Sequence, residues 1–339
     1  MKKYRLGVIG LGDTWQQRHA PALHALTDRL EVRAVCDQIA HRAELVVEQF
    51  PDAVVVDGYH ELASREDVDA IMILSPQWYG ALPVMAACDS GKAIYCAAGL
   101  ELESGEVDAI KGRVEQSGVP FMAEFSRRYA PATLRLKELV ATRLGSPRML
   151  FCHQRSARWA AAQKPWEDSP RTTSIRDLVG MVDWCYYIVD RPPTAVTGLM
   201  HVDNNSPEEE DYQMMSLDFS RGDSPPGGGP IAQISCGHYM PAEWKEAITY
   251  RPMATLQVVC QRGVAFIDLP ATLVWFDETG RHQEALESEL PVGEQLLRHF
   301  HRVMECPRHA KNDLEDACRS FSIVQSARES HRLGRRIKV

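Results

Sequence analysis

Short apolar runs alternate with amphipathic stretches over residues 1–125, and this alternation constrains the fold more than any other feature of the chain. The apolar runs are Leu6–Ile9, Val32–Cys36, Ala53–Val56, Ala70–Leu74, Ala93–Cys96 and Pro120–Phe125. Each is apolar at consecutive positions, as expected for strands buried on both faces. The segments between them have apolar residues at helical spacing, for example Val107, Ile110 and Val114. Repeated strand–helix units of this kind predict a doubly wound parallel sheet.

The pattern changes after residue 145, where strand-like runs follow one another. These runs are Met149–Gln154, Ala195–Val202, Tyr212–Phe219, Ile231–His238, Ala254–Cys260, Val264–Ile267 and Thr272–Phe276. One helical segment, Ile175–Val189, interrupts them, and helices at about Gly293–Glu305 and Asp313–Leu333 end the chain. Strand runs with separate helices predict an α+β domain with a largely antiparallel open sheet. We therefore expect an α/β protein with domains at residues 1–125 and 126–339, and the final helix is a candidate to pack back on the first domain.

Composition excludes several classes of function. The formal net charge is −8, which argues against nucleic acid as a partner because phosphate binding requires a basic surface. No apolar stretch approaches membrane-spanning length, so no membrane partner is expected. The nine cysteines include no Cys-x-x-Cys pair, which favours reduced, buried thiols over a metal site. Residues 1–10 do not form a signal peptide, and we expect a cytoplasmic protein.

A Gly-x-Gly turn, Gly10-Leu11-Gly12, follows the first predicted strand directly. Gly10 permits a tight turn, and Gly12 lets the backbone approach a pyrophosphate at a helix N-terminus. Asp37 ends the second predicted strand, where an acid binds the adenine ribose in dinucleotide-binding folds. This pattern predicts NAD binding, although Arg42 keeps NADP open and a tight turn without a ligand is the alternative. Trp15 occupies the position of the third glycine of the dinucleotide-binding motif. That glycine allows the helix to pack closely against the strand, so an indole there must displace neighbouring groups.

Further motifs run along the chain. They are His19 with Pro21-Ala22-Leu23, Ala34-Val35-Cys36-Asp37, Val68–Ile71 followed by Ser75-Pro76, Gly91-Lys92, and Arg128-Tyr129 with Pro131. Together with the glycine turn they resemble the glucose–fructose oxidoreductase/inositol dehydrogenase (Gfo/Idh/MocA) family. The resemblance implies a Rossmann domain followed by a substrate domain, an NAD or NADP cofactor, and a small sugar-like or polar substrate. It also implies a homodimer or homotetramer, formed through the open face of the second sheet. The cofactor-binding residues that it implies are Gly10, Gly12, Asp37, Ser75 and Pro76.

The family's proton-transfer residues are absent from this sequence. Its Glu-Lys-Pro motif matches Ala97-Ala98-Gly99, so Ala98 replaces the lysine. Its helical histidine aligns with Gly180 when Asp183 is taken as the final acid of the motif; sliding the register by one residue aligns it with Met181 instead. Oxidation of an alcohol requires proton removal while the hydride leaves. Loss of both groups therefore predicts different chemistry or none.

Other polar residues are candidates to line the same cleft. The candidate catalytic residues are His153, Lys164 and Asp183, and the candidate substrate-binding residues are Arg128, Arg155 and Arg176. An arginine binds a carboxylate with two parallel hydrogen bonds, which would suit an anionic substrate. Two functions stay open at this point. One is an NAD(P)-dependent oxidoreductase with non-standard proton-transfer residues, and the other is a non-catalytic nucleotide- or metabolite-binding descendant that acts as a regulator or partner subunit.

Overall fold

The chain folds into two units, each built around its own sheet. Unit 1 comprises Met1–Ser126 and Glu289–Arg319, and unit 2 comprises Arg127–Ser288 and Ser320–Val339. The structure is a computed structural model. It describes residues 2–75, 79–97, 104–157, 170–202, 210–221, 224–225, 227–240, 243–244, 246–247, 250, 253–286, 290–306 and 313–339.

Strands and helices alternate in unit 1, whereas strands predominate in unit 2. The strands are β1 (Tyr4–Ile9), β2 (Leu30–Cys36), β3 (Val54–Val55), β4 (Ala70–Ile73), β5 (Ala93–Ala97), β6 (Phe121–Glu124), β7 (Pro147–Ala157), β8 (Ala195–Val202), β9 (Glu210–Asp218), β10 (Ile231–Met240), β11 (Leu256–Cys260), β12 (Val264–Asp268), β13 (Thr272–Asp277), β14 (Gly280–Ala285) and β15 (Ile337–Lys338). The helices are α1 (Ala20–Ala25), α2 (Ala40–Gln49), α3 (Tyr59–Ser64), α4 (Leu82–Asp89), α5 (Ser104–Ser117), α6 (Pro131–Leu139), α7 (Pro170–Val189), α8 (Val292–Glu305) and α9 (Asp313–Leu333). Among the described residues, no helix is both long enough and apolar enough to cross a membrane.

The sheet of unit 1 is parallel and has the strand order β3-β2-β1-β4-β5-β6. The strands β4, β5 and β6 are buried at every position, which explains their continuous apolar sequence. The strand order reverses between β1 and β4, where doubly wound sheets bind ligands at their carboxyl ends. The predicted doubly wound parallel sheet is confirmed.

Helix α8 completes the core of unit 1, although it lies far from that core in sequence. Its apolar side is buried, and the ring of Phe300 packs edge-on against Tyr95 of β5, with ring centroids 5.3 Å apart. The imidazole of His301 lies 2.9 Å from the carbonyl oxygen of Lys2 and stands edge-on to Tyr4. Gly293 is required at the start of this helix because a β-carbon there would overlap the backbone of Arg18.

The sheet of unit 2 has the order β14-β13-β12-β11-β7-β10-β9-β8-β15. Only the β7–β10 pair is parallel within this described sheet, which confirms the largely antiparallel arrangement. The sequence did not predict β14 or β15. Both are edge strands of the sheet, and four of the six residues of β14 are exposed, so neither has the apolar pattern of a buried strand.

Strand alternation in unit 2 separates a helix-covered face from an open face. Helix α7 covers the even-numbered residues of β7 and β10, as the contacts of Cys152 with Cys185 and of Gln154 with Asp177 show. The opposite face has exposed apolar side chains. These are Met149, Leu199, Ile231 and Phe276.

Candidate functional sites in the two units

The glycine turn in unit 1 has the backbone geometry expected for a dinucleotide loop. Gly10 has a φ of +88°, a conformation that L-residues rarely adopt, and its N–H donates to the carbonyl of Cys36 at 3.0 Å. A β-carbon at residue 10 would overlap the side chain of Ser75, which follows β4. Gly10 and Ser75 therefore bring the carboxyl ends of β1 and β4 into close approach at the point where the strand order reverses.

Asp37 connects this turn to the end of β2. Its carboxylate accepts hydrogen bonds from the backbone N–H groups of Leu11 at 2.6 Å and Ile39 at 2.8 Å. At Gly12 an added β-carbon would meet only the guanidinium of Arg42, 4.0 Å away, so the backbone there is accessible. An accessible glycine backbone beside a carboxylate and a guanidinium fits the pyrophosphate and ribose ends of a dinucleotide.

The indole of Trp15 lies in the core rather than in the loop. It is 2% exposed and packs against Phe50 at the end of α2, with ring centroids 5.6 Å apart. The residues Trp15–His19 form a π-helical turn before α1. Such a turn accommodates an extra residue in a helix and frequently occurs at functional sites. The bulky residue at the third glycine position is thus compatible with the cofactor loop. Pro76, also predicted to bind cofactor, lies outside the described residues.

A buried ionic cluster surrounds Glu124 at the carboxyl end of β6. Its carboxylate is 3.0 Å from Nε2 of His19, accepts a hydrogen bond from the hydroxyl of Tyr95 at 2.9 Å, and pairs with Arg18. Burial raises the pKa of Glu124, but His19, Arg18 and Tyr95 favour the ionised form more strongly and hold the pKa at about 2. The cluster fixes the π-helical turn to the sheet.

The structure separates the predicted site residues of unit 2. Arg128 forms a two-pronged ion pair with Asp183, which is 1% exposed. His153 and Arg155 lie on the face of β7 opposite α7, where Nδ1 of His153 is 2.7 Å from the hydroxyl of Ser235. Burial lowers the pKa of His153. The predicted Arg176 is half-buried on α7, and Lys164 and Ala98 lie outside the described residues.

Gly180 has a specific neighbour in unit 2. A β-carbon at residue 180 would overlap Nη1 of Arg127. The same guanidinium donates from Nη2 to Oε1 of Gln154 at 2.9 Å, and the amide nitrogen of Gln154 donates to Asp177. The space beside the α-carbon of residue 180 is therefore filled by an arginine.

A polar cluster that the sequence analysis did not single out lies under α7. Asp177 of α7 and Cys236 and His238 of β10 each bring one potential ligand atom within 4.8 Å of the others. Nδ1 of His238 is 2.5 Å from Oγ of Ser156, which also donates to the carbonyl of Gly237 at 3.3 Å. One signal was available in the sequence: residues 236 and 238 share a face of any strand.

Burial dominates the electrostatics of this cluster. It raises the pKa of Asp177. The opposing effects are too small to reverse this shift, and they come from Arg127, Arg176, His238 and Gln154. Burial and the charge of Asp177 also raise the pKa of the Cys236 thiol. Titratable groups that are perturbed in this way are typical of functional sites, although structural networks also produce them.

Comparison with known proteins agrees with the geometry of unit 1. Residues 4–125 match the sequence model of the Gfo/Idh/MocA oxidoreductase family, which has an NAD-binding Rossmann fold. The match spans the parallel sheet and the glycine turn of unit 1. Among curated relatives, the scyllo-inositol 2-dehydrogenase (NADP(+)) IolW of Bacillus subtilis is 24% identical over 247 residues, which are 68% of this chain and 66% of the relative. An inositol 2-dehydrogenase of Acidothermus cellulolyticus is 30% identical over 199 residues, which are 58% of each chain.

Solved structures share the fold over almost the whole chain. The aldose-aldose oxidoreductase of Caulobacter crescentus, complexed with glycerol, has a TM-score of 0.83 at 16% identity and covers 100% of both chains. An oxidoreductase of Agrobacterium radiobacter in complex with NAD+, L-tartaric acid and magnesium has a TM-score of 0.81 at 17% identity, over 99% of this chain and 98% of that chain. At these identities the likeness establishes the fold alone. The curated relatives match this chain over 42% to 66% of their own lengths.

Proposed function

We propose that this chain is a Gfo/Idh/MocA-type NAD(P)-dependent oxidoreductase that acts on a sugar-like or other small polar substrate and uses non-standard proton-transfer residues. The observation that carries the proposal is the glycine turn held to Asp37, with Gly12 open beside Arg42. The names of the relatives, which are inositol and sugar dehydrogenases, support the substrate class.

The polar cluster of unit 2 favours an enzyme over a binding protein. Helix α7 and strand β10 hold Asp177, Cys236 and His238 together where burial makes ionisation of the acid and the thiol costly. Titratable groups whose pKa values are shifted in this way are typical of functional sites, which supports a chemical role for the cluster. We propose that this cluster acts on the substrate in the role of the family's lysine and histidine. The resemblance aligns Ala98 and Gly180 with those two residues. The bound cofactor would accept or supply the hydride.

The second candidate, a non-catalytic regulator or partner subunit, is supported by the same two replacements. Ala98 carries no proton to transfer, and the space beside Gly180 is occupied by Arg127. Such a protein would bind NAD(H) or a metabolite but turn over no substrate. Turnover therefore decides between the two functions, and cofactor binding is common to both.

Titration with NADH and NADPH, followed by the fluorescence of the reduced nicotinamide, tests the proposal. Wild-type protein is expected to bind at least one of them at micromolar concentration. Gly12→Val should fold normally, because an added β-carbon at residue 12 meets only Arg42, but its side chain should block the approach of the pyrophosphate. Gly58→Ala is the matched control, since nothing lies within 4 Å of its β-carbon position. Equal binding by all three proteins would place the cofactor elsewhere.

We also propose that the chain forms a homodimer or homotetramer through the open face of the unit 2 sheet. Exposed apolar side chains recur on that face, including Leu199 and Ile231, and extended apolar patches typically mark interaction surfaces. Light scattering on size-exclusion fractions should show an oligomer that Leu199→Glu with Ile231→Glu converts to a monomer. The control is Leu134→Glu, an exposed leucine on α6. A monomeric wild type would refute this arrangement.

A further inference from the structure

The chemistry of the cluster under α7 is that of a transition-metal site. Asp177 offers a carboxylate oxygen, Cys236 a sulfur and His238 an imidazole nitrogen, all within 4.8 Å of one another. Thiolate together with imidazole is a donor set that zinc and similar transition metals prefer, whereas magnesium and calcium prefer oxygen donors. We propose that Asp177, Cys236 and His238 bind a divalent transition-metal ion of the zinc type.

The supporting backbone is regular on both sides of the cluster. Cys236 and His238 are two residues apart on β10, which pairs with β7 and β9 on either side, and Asp177 lies on the 20-residue helix α7. Zinc–ligand bonds of about 2.0–2.3 Å place ligand atoms roughly 3.3–3.8 Å apart. Side-chain movements of about 1 Å would therefore close the three residues around an ion.

Two of the three ligands have hydrogen-bond partners of the kind that orient metal ligands. Ser156 donates its hydroxyl hydrogen to the carbonyl of Gly237 at 3.3 Å, so its oxygen accepts from Nδ1 of His238 at 2.5 Å. That assignment leaves the lone pair of the imidazole on Nε2, the atom that would bind a metal. Such outer partners fix the tautomer and the ring orientation of metal-binding histidines.

The second ligand, Asp177, is oriented through Gln154. Oε1 of Gln154 accepts a hydrogen bond from Arg127 at 2.9 Å, which turns its amide nitrogen toward the carboxylate of Asp177. Arg127 is thus a positioning residue for this ligand. Its positive charge opposes binding of a dication, and the carboxylate and thiolate together supply two negative charges that offset the charge of the ion.

Three protein ligands leave one position of a tetrahedral site open. Structural zinc sites are closed by four protein ligands, whereas catalytic sites keep a position for water or substrate. Metal binding at Asp177, Cys236 and His238 does not depend on the proposed oxidoreductase activity. Its catalytic consequence rests on that proposal: a metal ion held there would lower the pKa of a substrate hydroxyl, so that the proton could pass to water while the hydride passes to NAD(P)+, without the lysine and histidine that the resemblance aligns with Ala98 and Gly180.

Metal analysis of the tag-free protein tests the site directly. After incubation with Zn²⁺ and desalting, the wild type is expected to retain about one ion per chain. Loading with Co²⁺ should give a near-ultraviolet charge-transfer band from the thiolate. Cys236→Ser should abolish that band, and His238→Gln should weaken Zn²⁺ binding by more than about 100-fold. Ser156→Ala should weaken it by roughly 10–100-fold, as is typical of outer partners.

The controls replace a cysteine and a histidine outside the cluster. Cys260→Ser changes a buried cysteine of β11, and His153→Gln changes a histidine on the other face of β7; both should bind Zn²⁺ like the wild type. If Cys236→Ser does not fold, Ser156→Ala and His238→Gln still decide the question. Failure to retain metal, or retention that none of the cluster variants reduces, would overturn the proposal. Loss of metal with intact NAD(P)H binding refutes only the metal site, whereas metal binding without any cofactor binding refutes only the proposed function.

Discussion

The guanidinium of Arg127 fills the space beside Gly180 that a side chain at residue 180 would enter. Nη1 of Arg127 lies too close to the β-carbon position of residue 180 for a side chain there, and Nη2 donates a hydrogen bond to Gln154 at 2.9 Å. The glycine is thus explained by a neighbour within unit 2. Gly180 and Arg127 form a coupled pair, since any larger side chain at residue 180 must displace the guanidinium.

A double-mutant cycle should reveal this coupling. Glycine within a helix costs roughly 0.5–1 kcal/mol relative to alanine, so Gly180→Ala should stabilise α7 by that amount when Arg127 is absent. In the wild-type background the same change must push Arg127 away from Gln154, and a hydrogen bond to a charged group is worth about 1.5–3 kcal/mol. We therefore expect Gly180→Ala to be neutral or destabilising alone and stabilising in the Arg127→Ala background, by urea unfolding.

The coupling energy is the decisive quantity in this cycle. Residues in direct contact typically couple by about 0.5–3 kcal/mol, and distant residues add within about 0.5 kcal/mol. Gly112→Ala on α5 is the control, because nothing lies within 4 Å of its β-carbon position. Equal effects of Gly180→Ala in the two backgrounds would show that Arg127 does not occupy this space in solution.

Cofactor preference should be set by Asp37 and Arg42 together. The carboxylate of Asp37 lies beside the glycine turn and would repel a 2′-phosphate, so the wild type should bind NADH at least about 10-fold more tightly than NADPH. Asp37→Asn removes the negative charge and should reduce the difference between the affinities for NADH and NADPH. Arg42→Ala should weaken NADPH binding while changing NADH binding little, because the 2′-phosphate occurs only in NADPH. Calorimetry with both cofactors measures these affinities, and tighter binding of NADPH by the wild type would contradict the assignment.

The sequence predicted β4, β5 and β6 because burial on both faces leaves an unbroken apolar run. The expectation of two buried faces was wrong for β3, whose Val54 and Val55 are exposed because this strand is at the edge of the sheet. It missed β14 because an edge strand such as Gly280–Ala285 needs no apolar side chains for its backbone to pair with β13. The glycine turn and Asp37 were also predictable, because their spacing follows from local strand–turn–helix geometry.

The cluster of unit 2 was not predictable to the same degree. His153 and His238 both lie on strands, and the sequence alone does not indicate which face of each strand α7 covers. The structure resolves this: even-numbered residues of β7 and β10 face α7, so His238 approaches Asp177 whereas His153 pairs with Ser235. Pairing across a sheet and under a helix is a tertiary property with no local sequence signal.

Glu124 should make the stability of the protein depend on pH. Its pKa falls from 4.5 to about 2 on folding, so the ionised form is favoured in the fold. The stabilisation is therefore fully present above about pH 4.5 and is lost as the pH falls toward 2. A shift of this size corresponds to about 3 kcal/mol, to order of magnitude. Glu124→Gln should lower the free energy of unfolding by about that amount at pH 7, and the difference from wild type should shrink as the pH falls below 4.5.

An exposed acid provides the comparison for Glu124. The side chain of Glu138 is 61% exposed and pairs with Arg135 at 2.8 Å. Glu138→Gln should change the free energy of unfolding by less than about 1 kcal/mol, because exposed ion pairs contribute little. Urea unfolding of the three proteins at several pH values measures both effects. A pH-independent difference between wild type and Glu124→Gln would mean that Glu124 is not held ionised by its neighbours.

Dehydrogenation of ordinary polyols should be slow in this protein. The coupled pair, Gly180 and Arg127, determines how that activity could be restored. Positioned proton transfer contributes a factor of about 10²–10⁴, so Ala98 and Gly180 predict turnover of inositol or glucose below about 1 s⁻¹. Adding Ala98→Lys and Gly180→His would supply a lysine and a histidine at the positions that the resemblance assigns to them, but the imidazole must compete with Arg127 for the same space. The triple variant with Arg127→Ala should therefore gain more NAD(P)+ reduction than the double variant. The control is Ala98→Lys with Arg127→Ala alone, which lacks the imidazole. Turnover of an ordinary polyol by the wild type above about 1 s⁻¹ would show that other residues already perform the proton transfer.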